Sequence, residues 1–224
     1  MAVYTKIGLD EINLIEKNFS IGKILNYSGI KKGIENTNYL IKSKKRKFIL
    51  TIFEKRVNSR DLPFFMKLMS GLSKSKIKCP KPVESKKGKY LFKLKGKNAC
   101  LVTFLEGKDK NNLNSKECFV IGKNIARLHN SSKKLRIFRK NSLSVNSWRP
   151  LLKKISRKIN KKFKHLTENM KIDYIQIKEL WPKKLPTGII HCDLFLDNMF
   201  FYKGRFHGFI DFYFSCNDYY AYDL

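Results

Sequence analysis

The residues Ile189-Ile190-His191-Cys192-Asp193-Leu194-Phe195-Leu196-Asp197-Asn198-Met199-Phe200-Phe201 set the pattern H-x-D-x-x-x-x-N between two apolar runs. Asp211 follows Asn198 by thirteen residues, inside Gly208-Phe209-Ile210-Asp211-Phe212. Those are the groups that phosphoryl transfer from a nucleoside triphosphate requires. One carboxylate accepts or orients the proton of the attacking hydroxyl, while an amide oxygen and a second carboxylate hold a divalent cation on the phosphates. With four His, nine Asp and eighteen Asn in 224 residues, the bare pattern would arise by chance roughly 0.01 times. A turn between strands explains Asp193, Asn198 and Asp211 by type, but not their combination with flanking apolar strands. His191 fits a buried histidine that orients the loop. Nothing marks Cys192 as a nucleophile.

Such side chains need a scaffold, and the apolar periodicity predicts one. Residues 8–19 carry Leu9, Ile12, Ile15 and Phe19 on one helical face. Strand-like runs follow at 24–29, 37–41 and 48–53. A helix is predicted over 61–73, where Leu62, Phe65, Leu68, Met69 and Leu72 form one stripe, and Pro80 and Pro82 end it. Two strands are expected at 90–94 and 99–105. The polar stretch 106–112 reads as a linker. Beyond it come helices at 117–129, 151–163 and 170–181, a loop at 141–146 leading to Trp148, and a short buried strand at 188–190. Strands first and helices later imply an α+β fold of two lobes, with the site in the cleft between them. The expected division is 1–105 as the first lobe, 106–112 as the hinge and 113–224 as the second lobe.

Composition narrows the function classes. The chain is 42% hydrophobic and 29% charged, which excludes a mainly disordered protein. No apolar run approaches a membrane span, and no secretory signal opens the chain, so the expected compartment is the cytoplasm and no membrane partner is expected. Five scattered cysteines without C-x-x-C spacing read as reduced, mostly buried thiols. The net charge of +30 by itself favours a polyanionic partner. However, 39 of the 48 basic residues are Lys, and Asn and Ile are also abundant. Those three residue types share A/T-rich codons. Genome composition therefore explains the charge, and a nucleic-acid partner is not expected. No feature specifies an oligomeric state.

The H-x-D-x-x-x-x-N segment and the following Ile210-Asp211 resemble the aminoglycoside phosphotransferase/choline kinase-like superfamily, whose members share the bilobal protein-kinase-like fold. Ala126-Arg127-Leu128-His129 is similar to the end of the helix before that family's catalytic loop, and Val102–Gly107 is similar to its hinge. Asp218 and Tyr222-Asp223-Leu224 are similar to the segment after its metal-binding aspartate. A closer likeness, to the bacterial homoserine kinases of that superfamily, is carried by Gly33-Ile34-Glu35-Asn36-Thr37-Asn38-Tyr39 and Phe48–Arg56. Asp61-Leu62-Pro63-Phe64-Phe65, Trp148-Arg149-Pro150-Leu151 and Asp211–Asp218 extend it over nearly the whole chain.

That resemblance implies ATP and Mg²⁺ as cofactors and L-homoserine as the small-molecule partner. The product would be O-phospho-L-homoserine, within threonine biosynthesis. It implies Asp193 as base or hydroxyl-orienter, His191 as support of the loop, and Asn198 and Asp211 as metal ligands. Thr51 stands where kinases usually place a strand lysine, so Lys55 or Arg56 is expected to reach the phosphates, with the backbone around Gly33 and Asn36 as the covering loop. Arg149 and Asp218 are the candidates for the carboxylate and ammonium of the amino-acid acceptor. The family continues past the Tyr-Asp-Leu segment, so the chain is expected to be C-terminally truncated. Two enzyme alternatives are an aminoglycoside or a choline-type acceptor. A basic nucleic-acid-binding protein and an inactive kinase fold are the others.

Overall fold

The computed structural model describes residues 3–33, 35–54, 57–163 and 165–224. The chain opens with helix α1 (Leu9–Asn18), followed by strands β1 (Ile24–Gly29), β2 (Thr37–Ser43) and β3 (Lys47–Ile52). Helix α2 (Leu62–Lys74) precedes the hairpin of β4 (Leu91–Leu94) and β5 (Lys97–Thr103). These strands form one antiparallel sheet in the order β1-β2-β3-β5-β4. Then come helices α3 (Ser115–Ser132), α4 (Val145–Lys162) and α5 (Leu166–Leu180). The last part holds β6 (Thr187–Ile190), β7 (Met199–Tyr202), β8 (Arg205–Phe209) and β9 (Cys216–Tyr219), paired as β6-β9 and β7-β8. This is the α+β, kinase-like arrangement that the element order implies.

Alternation along β3 divides the sheet's two faces. Phe48, Leu50 and Ile52 point to α1, where they pack with Ile12, Ile15 and Phe19. Ile49 and Thr51 point the other way, into a cleft. The second core joins the two halves of the molecule. It runs from Phe65, Leu68 and Met69 of α2 through Cys100 and Val102 of β5 to Ile125 and Leu128 of α3, and on to Ile189, Met199 and Phe209. Both tight hairpins turn on a Lys-Gly pair at positive φ: Lys95 at 48° with Gly96 at 75°, and Lys203 at 49° with Gly204 at 75°. Positive φ at both central residues is the turn that matches strand twist.

Beyond shifts of a few residues at element ends, two elements differ from the sequence expectation. Strand β9 has no apolar alternation, since Cys-Asn-Asp-Tyr is a poor strand sequence; its pairing with β6, from Thr187↔Tyr219 to Ile190↔Cys216, makes it a strand. Helix α4 starts at Val145, ahead of the predicted 151, and carries Pro150 inside it. A proline in the second turn removes one backbone bond, and Trp148 Nε1 donates to Leu143 O at 2.8 Å to hold the helix start. Among the described residues no helix is long and apolar enough to cross a membrane.

The strand that leads to Asp211 depends on a glycine. A Cβ on Gly208 would lie 2.2 Å from the carbonyl oxygen of Lys78, which also accepts the Phe209 N–H at 3.1 Å. At Gly71 the nearest atom is the movable end of the Leu135 side chain, at 2.5 Å. Gly208→Ala is expected to cost about 2–3 kcal/mol in urea denaturation, and Gly71→Ala less, because only the first obstacle is backbone.

Candidate active site

Strand β6 delivers His191, and the chain then turns through Cys192 at φ 65° before Asp193. A left-handed cysteine leaves its neighbouring amides out of any ladder, so they need another acceptor. Asp223 supplies it. Its buried carboxylate accepts the His191 N–H at 2.8 Å and the Cys192 N–H at 2.7 Å, and lies 2.8 Å from His129 Nε2 on α3. His191 itself is fully buried, and burial pushes its imidazole down to about 4. At neutral pH the ring is uncharged, and its Nε2–H donates to Ile210 O at 2.9 Å. One histidine therefore bridges the residue two before Asp193 to the residue just before Asp211.

Asn198 closes the loop from the other end. Its Nδ2 donates to both the carbonyl and Oδ2 of Asp193, each at 2.8 Å. This arrangement fixes the amide's orientation and leaves Oδ1 available as an oxygen ligand. The Ile210 N–H donates to Asn198 O at 3.0 Å, placing the two candidate metal residues side by side. Asp211 adopts a left-handed backbone, φ 63° and ψ 62°. Asp193, Asn198 and Asp211 all line a cleft of about 720 Å³, a volume in the range of small-molecule sites. Ile30, Ile49, Val102, Phe104, Phe200 and Ile210 give it apolar walls.

The cleft floor is acidic. Asp211 opens on the cleft water but is otherwise enclosed, and it is pushed up to about 6, first by burial and then by the carboxylates of Asp193 and Glu35. Asp193 is raised by burial, against the lowering effect of the Asn198 hydrogen bond. Among the described lining residues the one cation is Lys32, which is ion-paired with Asp109. The carboxylates of Asp193 and Asp211, beside the Asn198 amide oxygen, form a hard-oxygen donor set of the kind that suits Mg²⁺. No group of three or more His, Cys, Asp or Glu able to hold a metal is present among the described residues.

The structure thus brings His191, Asp193, Asn198 and Asp211 together. Gly33 and Asn36 also line the cleft, from the β1–β2 connection. Thr51 lines it too, its Oγ1 donating to Asn38 Oδ1 at 2.8 Å and accepting from Tyr213 Oη at 3.4 Å. Lys55 and Arg56 lie outside the described residues. Arg149 is exposed on α4, and Asp218 on β9 is bonded to Asn141 Nδ2 and the Tyr219 N–H. Neither is among the residues lining the cleft. Sequence reasoning gave no role to Asp223, His129, Tyr213 or Lys32. The available signal for Asp223 was a charge set among Tyr220, Tyr222 and Leu224.

A profile of the phosphotransferase enzyme family matches residues 26–224. The chain is 42% identical over its full 224 residues to a homoserine kinase of Nitrobacter hamburgensis, covering 69% of that protein. It is likewise 42% identical over its whole length to a homoserine kinase of Agrobacterium fabrum, covering 70% of it. Among solved structures, a spectinomycin phosphotransferase in complex with ADP and spectinomycin superposes over 98% of this chain and 73% of its own, with a TM-score of 0.69 and 17% identity. A choline kinase from Cryptosporidium parvum superposes over 94% of this chain and 65% of its own, with a TM-score of 0.70 and 20% identity.

Two substitutions probe the site's electrostatics. Asp223→Asn offers one acceptor oxygen where two amides and an imidazole converge, and it is expected to cost about 2–4 kcal/mol in urea denaturation. Asp211→Asn is expected to do the reverse. Its folded pKa, about 6, lies above the usual carboxylate value, so the parent loses stability as pH rises through that range. The variant should gain about 1 kcal/mol at pH 8, a modest figure because the carboxyl faces cleft water, and nothing at pH 4. Thermal melts across pH measure it.

Proposed function

The chain belongs to the phosphotransferase enzyme family, and on that premise we propose that it is a homoserine kinase. It transfers the γ-phosphoryl group of ATP to the side-chain hydroxyl of L-homoserine, giving O-phospho-L-homoserine and ADP, a step of threonine biosynthesis. The observation that supports phosphoryl transfer is the bonded pair Asp193–Asn198 sharing one cleft with Asp211, and the 42% identity to homoserine kinases over the whole chain supports the acceptor. Residues 1–105 would bind the nucleotide, 106–112 would serve as the hinge, and 113–224 would carry the reacting loops.

Asp193 orients the acceptor hydroxyl and takes its proton as the oxygen bonds to the γ-phosphorus and the bond to the β-phosphate oxygen breaks. Asn198 Oδ1 and the Asp211 carboxylate would hold Mg²⁺, whose charge would neutralise the phosphate oxygens. His191 acts at one remove, fixing the spacing between Asp193 and Asp211 through Ile210 O. Backbone amides around Gly33 and Asn36 cover the phosphates, with Lys55 or Arg56 supplying positive charge that Thr51 does not. Arg149 and Asp218, which stand outside the described cleft lining, are the candidates to meet the acceptor's carboxylate and ammonium. For a loose transition state, positioning and charge neutralisation supply most of the rate.

Asp193→Asn is expected to lower kcat by about 10²–10⁴-fold while ATP affinity stays within about twofold by calorimetry. Unchanged turnover in that variant refutes the role. The coupled assay of ADP release is run with L-homoserine beside L-serine, L-threonine, choline and an aminoglycoside. Stimulation by homoserine alone is the expected result, and stimulation by another acceptor would replace the substrate while keeping the reaction.

A further inference from the structure

Arg139 lies outside the cleft, between α3 and α4, yet its guanidinium reaches both the start of α2 and the turn that carries Asp211. Nε donates to Asp61 Oδ2 at 2.7 Å. Nη1 donates to the carbonyls of Phe214 and Ser215, at 3.1 and 3.0 Å. The guanidinium sits 5.1 Å over the Phe65 ring of α2, and the side chain is only 13% exposed. The backbone is pinned as well, since the Asn217 N–H donates to Arg139 O at 2.7 Å and the Arg139 N–H donates to Asn217 Oδ1 at 2.9 Å.

Three features show that this contact does more than fill space. Asp61 occupies the N-cap position of α2, but its side chain bonds none of the helix amides and its carboxylate is directed to Arg139 instead. Asp211 holds a left-handed conformation that costs a non-glycine residue of order 1 kcal/mol and persists only where neighbours enforce it. On its amino side Ile210 is bonded to Asn198, and on its carboxyl side the turn is closed by the Ser215 N–H on Phe212 O and by Arg139 on the two following carbonyls. Third, Lys outnumbers Arg by 39 to nine in this chain, yet the position takes an arginine. A planar fork can stack on a ring while donating in two directions, which an ammonium cannot do.

We infer that Arg139 is a positioning residue: it locks the turn bearing Asp211 and ties that turn to Asp61, so that α2 and the metal-holding carboxylate keep one relative placement. The inference rests on the reading of Asp211 as a metal ligand. Phe65 and Tyr213 carry the same link through apolar contact, with ring centroids 5.8 Å apart at 86°. Tyr213 then reaches Thr51 on β3. Losing the guanidinium would leave the apolar contact in place and release the backbone, so the damage falls on metal use before it falls on folding.

The test measures ATP affinity with and without Mg²⁺ by calorimetry, together with amide hydrogen exchange of residues 212–215 in the nucleotide-free protein. In the parent, Mg²⁺ tightens ATP binding. In Arg139→Gln that tightening should shrink about tenfold and the amides should exchange about tenfold faster, while metal-free ATP affinity stays within about twofold. Arg139→Lys should recover only part of the effect. Asp61→Asn, at a more exposed position, should show about a threefold loss of the same tightening, which keeps the inference testable if Arg139→Gln fails to fold. Variants that match the parent within twofold in both readouts, or full rescue by lysine, would overturn it. So would a lower Tm with both readouts unmoved. A parent whose ATP affinity ignores Mg²⁺ would overturn the metal reading and this inference together, whereas a responsive parent with equally responsive variants overturns this inference alone.

Discussion

Repulsion between carboxylates is the constraint around which this molecule is arranged. Asp193 and Asp211 share one cleft with Asp197, Asp109 and Glu35, and the Asp211 carboxyl is pushed up to about 6 by burial first and then by the Asp193 and Glu35 carboxylates. A chain free to relax would separate them. They stay together because the backbone on both sides of each is hydrogen-bonded to something that cannot move independently. The Asp193 loop is fastened by Asp223 and Asn198, and the Asp211 turn by Asn198, His191 and Arg139. Electrostatic strain is thus balanced by ordinary hydrogen bonds, and the cost of assembling the charges is met before any ligand arrives.

The scaffold has a consistent logic when followed outward from those bonds. The β6-β9 pair delivers His191 just past the end of one strand and returns the chain beside it, and this pairing makes a strand of so polar a segment as Cys216–Tyr219. The β7-β8 hairpin joins Asn198 to Ile210 and brings their backbones together. The segment after the five-stranded sheet is strapped to β7 by reciprocal bonds between Lys108 and Phe201, at 2.9 and 2.8 Å, and Gly107 at φ 135° is needed there because a Cβ would meet Phe201 O at 2.8 Å. One apolar core then links α2, α3 and these strands, so the walls of the cleft share packing with its floor.

Most of this was legible where apolar spacing is regular. The stripe of α2 and the alternation of β3 state their own burial, and the H-x-D-x-x-x-x-N spacing with a later Ile-Asp announces its chemistry through a combination too rare for turn residues alone. The sequence was silent where a side chain serves residues far along the chain. Asp223 looks like a surface charge until His129, His191 and Cys192 are seen converging on it across sequence separations that no local pattern spans. Arg139 is lost among 48 basic residues for the same reason. The start of α4 was misplaced because Pro150 reads as a boundary, whereas a proline in the second turn forfeits a single bond that packing and the Trp148 indole offset.

The positive charge of the whole chain and the carboxylates of the cleft act in opposite senses on an anionic ligand. A net charge of +30 draws anions toward the protein as a whole. At the floor of the cleft the sign reverses, since the described lining holds one lysine, already paired, against five carboxylates. Toward a bare nucleotide anion the described carboxylates are repulsive at contact, a repulsion that a divalent cation placed between them would offset. Screening shortens the outer field to about a Debye length in physiological salt, but it acts little inside a partly enclosed cleft. The outer charge and the carboxylates of the cleft therefore act over different distances and with opposite sign.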